Sequence, residues 1–216
     1  MSGQPDPNSR YYNEIAGSSP DRLAAISDGI FGVSMTLLVL TLVVPTAEQV
    51  RVAGDLWPAL IKLVPNLVTY FMSFMTLGIF WVGQQTQLSQ LERTTRDYTW
   101  IMLGFLLFVT LVPFSTALLA GFYLSRIALI EYWLNILVLG AFILGGAEYA
   151  YRAGMFQAAR RNLLIHAIRR RVYIAQALYL AATLLCVIDT RISIAVIVLI
   201  QLNYAIAPGI AFLRRL

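Results

Sequence analysis

Six long apolar runs, separated by short polar interruptions, organise this chain. They fall at about residues 23–44, 57–83, 98–121, 127–150, 171–188 and 192–213. Crossing a bilayer core takes roughly 20 residues as a helix, so each run predicts a membrane-spanning helix. Prolines stand inside the second and third of them. Pro58 and Pro65 stand in the first half of the second run, and Pro113 stands in the third, where a bend is expected. Residues 1–21 are polar and read as a flexible tail. The segment TAEQVRVAGDL reads as a short loop between the first two spans. The longest hydrophilic stretch, Tyr151 to Arg171, contains FQAARRNLLIHAIRRR. Its apolar positions recur at helical spacing, which predicts an amphipathic helix or an extension of the flanking spans.

Composition narrows the class. Of 216 residues, 59% are hydrophobic and 12% are charged. A water-soluble domain cannot hide that much apolar surface, so the fold class is all-α and polytopic in a membrane. Residues 22–213 form one six-helix domain, with 214–216 as a short C-terminal end. Little chain is left for a soluble catalytic module. The first run is too long for the apolar core of a cleaved leader.

Charge distribution gives an orientation. With both termini on the cytoplasmic side, that side carries twelve of the sixteen basic residues, among them Arg22, Arg93, Arg152, Arg169 and Arg214. The other side carries only Arg51, Lys62, Arg126 and Arg191. This asymmetry predicts six spans with N- and C-termini inside. The triplet Arg169-Arg170-Arg171 beside a span reads as an anchor at anionic lipid, not as a nucleic-acid contact.

Candidate chemistry is sparse. Cys186 is the single cysteine and lies in the fifth run; His166 is the single histidine. Neither has the partners of a metal site or a nucleophile–base pair, and no phosphate-binding glycine loop is present, so no enzyme and no cofactor are expected. Glu148, Asn135, Gln201 and Asn203 read as packing or interface groups in the late spans. The informative exception is the start of the first run, where Arg22, Ser27 and Asp28 lead into 23–44. Ionisable groups at the root of a membrane helix point to function.

On a helical wheel Val33, Leu37, Leu40 and Val44 fall within about 40° of one line. Ile26 and Gly29 extend the line, Thr36 lies about 60° from it, and Asp28 points well away. Periodicity leaves two readings open. The stripe packs on a neighbouring helix or lipid, or it lines a pore whose aliphatic rings gate by dewetting.

The run RLAAISDGIFGVSMTLLVL resembles the first-helix signature of potassium channels related to transmembrane protein 175, which opens Arg-x-x-x-Phe-Ser-Asp. YFMSFMTLGIFWVGQQ (70–85) resembles that family's second helix, and FLLFVTLVPFSTALL (105–119) its third. The resemblance implies a homotetramer in a lipid bilayer whose first helices surround a central pore for permeant potassium, modestly preferred over sodium. Carried over by position, Val33 forms the narrowest ring, Leu37 and Leu40 the next rings, and Thr36 a hydroxyl ring that favours potassium. Arg22, Ser27 and Asp28 join an interhelical polar network with Ser73, Trp81 and Gln84, with Arg22 at the inner mouth or anchoring the helix. A secondary transporter or a proton-permeable channel is the alternative. The chain departs from the family at Ile26, where the signature has Phe, at Gln84 and Gln85, where it has two histidines, and at Met102, where it has Asn. The network between the first three helices must therefore be rebuilt here.

Overall fold

A computed structural model describes residues 19–158 and 160–206. Helices account for nearly all of it. The first, α1 (Pro20–Leu37), starts where Ser19 accepts the Arg22 backbone N–H, with Pro20 in the first turn. Proline has no amide hydrogen to lose there and its φ already suits a helix. The helix then tightens into a 3-10 turn, Leu38–Thr41. The helical first span therefore ends short of residue 44, and Val43 and Val44 follow in extended chain. Most of the expected tail lies outside the described residues, and its last two residues, Pro20 and Asp21, are helical.

The loop expected after the first span holds a helix, α2 (Ala47–Ala53). Thr46 accepts the Gln49 backbone N–H while the Gln49 side chain accepts the Thr46 N–H, a reciprocal cap. Gly54 ends it at φ 86°, a conformation that favours glycine. The second span comes in two pieces, α3 (Leu56–Ile61) and α4 (Val64–Leu88), broken at Lys62 and Leu63. Pro65 opens the second piece.

Then follow α5 (Arg96–Gly121), which runs through Pro113 without interruption, α6 (Arg126–Arg152), α7 (Arg161–Leu184) and α8 (Thr190–Ile206). The basic stretch RNLLIHAIRRR belongs to α7, so the hydrophilic segment extends the fifth span rather than forming a separate helix. Five helical segments are long and apolar enough to cross a membrane: Pro20–Thr41, Leu56–Leu88, Arg96–Gly121, Arg126–Arg152 and Arg161–Val187. The chain is therefore a multi-pass membrane protein. A shorter apolar helix, Thr190–Ala205, follows them; residues 207–216, with the end of the expected sixth span, lie outside the described residues.

Three apolar clusters hold the bundle together. One joins α4, α5, α6, α7 and α8 around Tyr132, Met72 and Ile197. The second seats α1 on its neighbours: Phe31 and Leu38 pack with Leu77, Phe105, Leu106 and Val109. The third lies at the end of the bundle where α1 begins, and unites Leu23, Leu88, Tyr98 and Met102 with two loops. Those loops are tied by a short antiparallel bridge between Leu91 and Phe156. Glu92 donates its backbone N–H to Met155 O (3.0 Å), and Gln157 donates to Gln90 O (3.3 Å). Leu91, Met155 and Phe156 are buried beneath it.

Candidate functional site

The two faces of α1 have opposite fates. Leu23, Ser27, Phe31, Ser34 and Leu38 are buried, at spacings of three and four residues that keep them on one side. On the other side Ile26, Gly29, Val33, Leu37 and Leu40 are exposed, Val33 at 58% and Leu40 at 71%. So the stripe drawn from periodicity is not used to hold this subunit together. The 3-10 turn affects its geometry. Residues three apart eclipse in a 3-10 turn, so Leu40 stays above Leu37 instead of rotating away. Val44 stands beyond the helix and leaves the line. Thr36 is exposed beside the stripe, and its hydroxyl donates to Val33 O at 2.8 Å. That leaves the threonine oxygen's lone pairs directed outward as acceptors.

The buried face carries the polar anchorage. Ser27 donates to Leu23 O (2.8 Å) and accepts the Gln84 amide (2.8 Å), both residues being fully buried. At the next residue, turned toward the exposed side, Asp28 Oδ1 accepts two donors from α4, Trp81 Nε1 at 2.7 Å and Gln85 Nε2 at 2.5 Å. Hydrogen bonds to an ionised acceptor are the stronger kind. Asp28 is exposed, so solvent and ions screen part of that gain. The two glutamines stand where the family resemblance leads one to expect histidines. Each holds one member of the Ser-Asp pair, and together they fix the rotation of α1 about its axis. Met102 fills apolar space, packed with Tyr98 and against Gly146.

Two assignments need correction. Ser73 does not join Ser27 and Asp28. It lies eleven residues from Gln84 on the same helix, about 16 Å along the axis, and meets different partners. Ser73 donates to the Tyr132 hydroxyl (3.2 Å) and accepts from Thr116 (2.7 Å); Thr76 lies 3.0 Å from the same tyrosine oxygen and accepts from Gln201 (2.7 Å). This second cluster links α4, α5, α6 and α8. Arg22 also stays out of the network. Its backbone N–H is capped by Ser19, its side chain is exposed, and no bond joins its guanidinium to Ser27 or Asp28 among the described residues.

Further polar side chains on the later helices pair with one another. Ser115 donates to Glu131 (2.9 Å) and accepts from Asn135 (3.1 Å). Glu148 pairs with Arg169, joining α6 to α7. Asn203 is exposed on α8. The signal for Thr76, Thr116 and Tyr132 was their place on otherwise apolar helices, where a hydroxyl needs a partner. No group of three or more His, Cys, Asp or Glu side chains suited to a metal is found among the described residues.

Comparison with known proteins bears on what this arrangement belongs to. Residues 22–113 match the family described as endosomal/lysosomal potassium channel TMEM175. A potassium channel of Chamaesiphon minutus is 30% identical over 195 residues, covering 88% of this chain and 95% of that protein. A potassium channel of Streptomyces collinus is 38% identical over 101 residues, 47% of this chain and 48% of the relative. Human TMEM175, named an endosomal/lysosomal proton channel, is 34% identical over 83 residues, 36% of this chain and 16% of that protein. The crystal structure of a lysosomal potassium-selective channel TMEM175 homolog from Chamaesiphon minutus superposes with a TM-score of 0.77 at 28% identity, over 88% of this chain and 98% of the other. These neighbours are ion channels, not enzymes. With a relative at 30% identity across nearly the full length of both sequences, and a matching helical fold, the chain belongs to the TMEM175 family of cation channels.

Proposed function

We propose that this chain is a potassium-preferring channel of the cell membrane, in which four copies surround a pore lined by α1. The observation that carries the proposal is the division of α1 into a buried, hydrogen-bonded face and an exposed aliphatic stripe. A helix fixed this firmly in rotation presents one defined surface. Four such surfaces make stacked rings, Val33 the narrowest, then Leu37 with Leu40 directly above it. In this reading both termini are cytoplasmic, residues 22–213 form the six-helix channel domain, and the Arg22 end faces the cytoplasm.

The chemistry follows from the side chains. An aliphatic ring offers a cation no replacement ligands, so the ion must keep most of its water to pass, and a dry ring closes the path. Potassium holds its water less tightly than sodium and loses less in the constriction. Thr36 oxygens, with their protons committed to Val33 carbonyls, keep lone pairs free to ligate the ion. The result is modest selectivity, because few fixed dipoles face the ion. Permeation of protons is the second reading, favoured by the names of the vertebrate relatives. Against it, the stripe from Ile26 to Leu40 carries no titratable side chain.

The test is ion flux through the purified protein in liposomes, with potassium, sodium and proton gradients compared. Thr36→Ala is expected to lower the potassium-to-sodium ratio, and Val33→Asp to raise cation flux by wetting the ring. Flux unchanged by both substitutions would place the path away from α1. Saturable flux coupled to a counter-ion would make the protein a transporter.

A further inference from the structure

At the Arg22 end of the bundle, an apolar groove opens between α4, α6, α7 and α8. It encloses about 110 Å³ and is open along one side. Its floor is made of small residues. Gly83 and Ala175 line it, and a Cβ at Gly83 would meet nothing within 4 Å. One end is polar. Arg171 is exposed there, its guanidinium carbon 5.9 Å from the Tyr204 ring centre. Gln87 at the groove keeps a buried Oε1 that has no hydrogen-bond partner among the described residues. From Arg171 the groove runs along α7 to Tyr179, eight residues on, which is about 12 Å of helix.

A cation and an unpaired acceptor at one end, with an apolar trench leading from them, suit one kind of molecule. We propose that the groove binds an anionic phospholipid of the phosphatidylglycerol class from the surrounding bilayer. Its phosphate sits on Arg171, a glycerol hydroxyl donates to Gln87 Oε1, and one acyl chain lies over Gly83 and Ala175 toward Tyr179. Charge decides against the other nearby occupant. The segment 207–216 follows α8 directly but brings Arg214 and Arg215, which Arg171 repels. No residue of α1 lines the groove, so the proposal stands apart from the pore.

The test uses the full-length protein in detergent, with phosphatidylglycerol and phosphatidylcholine of identical chains, and counts retained lipids by native mass spectrometry. Phosphatidylglycerol is expected to be retained several-fold better. Arg171→Gln removes that preference and leaves the weaker phosphatidylcholine retention in place. Gly83→Leu, whose side chain enters open space, lowers retention of both lipids with an unchanged melting temperature. Equal retention of the two lipids by the unaltered protein, or an Arg171→Gln protein that keeps the preference, would overturn the assignment. A photoreactive side chain at Val172 separates the occupants: adducts of lipid mass support the proposal, and a crosslink to residues 207–216 gives the groove to the C-terminal segment instead.

Discussion

Two adjacent glutamines, Gln84 and Gln85, are expected to respond to the same substitution with opposite signs. Gln84→Met removes the amide that donates to Ser27. Interhelical side-chain bonds of this kind in membranes are worth ~0.6 kcal/mol on average and ~1.7 at most. Ser27 keeps its own bond to Leu23 O, so no serine proton is stranded. The same change removes Gln84 Oε1, which is buried with no partner. Leaving such a group unsatisfied costs ~1–3 kcal/mol. Methionine fills a comparable volume and adapts its shape. The balance makes Gln84→Met neutral to about 2 kcal/mol more stable. Gln85→Met has no such compensation. It takes one of two donors from Asp28, a charge-assisted bond, at a site where solvent screens part of its strength. A loss of about 1 kcal/mol is expected. Thermal unfolding of the purified protein in one detergent, with both single variants and the double, measures the order. A Gln84→Met protein destabilised by more than about 1.7 kcal/mol would refute the reasoning, because Oε1 would then have to be satisfied.

Three further outcomes follow from the packing. Phe31→Ala empties a fully buried site against Phe105, whose ring lies 6.0 Å away, and should cost ~3–5 kcal/mol of stability in the same melts, loosening α1 from its seat. Gly104→Ala brings a methyl within 2.8 Å of the Phe142 ring; overpacking of ~1–3 kcal/mol outweighs the ~1 kcal/mol helix gain, and Phe142→Leu in addition should restore the melting temperature. Thr46→Ala removes the cap of α2 and should lower the amide protection of residues 47–50 in hydrogen exchange, by ~1 kcal/mol of local stability, while potassium flux is unchanged.

Much of α1 was legible because one strong period runs through it. Positions 23, 27, 31, 34 and 38 had to be the inside once 26, 33 and 37 formed the outer stripe. The point where α-helix gives way to the 3-10 turn was not legible, since Leu37 to Thr41 is as apolar as the turns before it. The family resemblance put Trp81 and Gln84 beside Asp28 and Ser27, and the structure agrees, since both pairs stand near the same ends of successive antiparallel spans. Ser73 failed the same test of depth: three turns of helix separate it from Gln84. The reciprocal cap of α2 was present in TAEQ, a Thr followed three residues later by Gln. The cluster around Tyr132 was hidden for another reason. It assembles from four helices distant in sequence, and nothing local says which hydroxyls meet.

The bridge between Leu91 and Phe156 makes one mechanical body of two loops that the sequence keeps sixty-odd residues apart. Beneath it lies the apolar cluster that also contains Leu23, the first buried residue of α1. A force applied to either loop, by a bound protein or by lateral pressure at the membrane face, therefore acts on the foot of the helix that carries the stripe. The lever is short, because Met155, Phe156 and Tyr98 are buried together in that same cluster. Stiffening or cutting these loops should thus register at Val33, roughly three turns from Leu23.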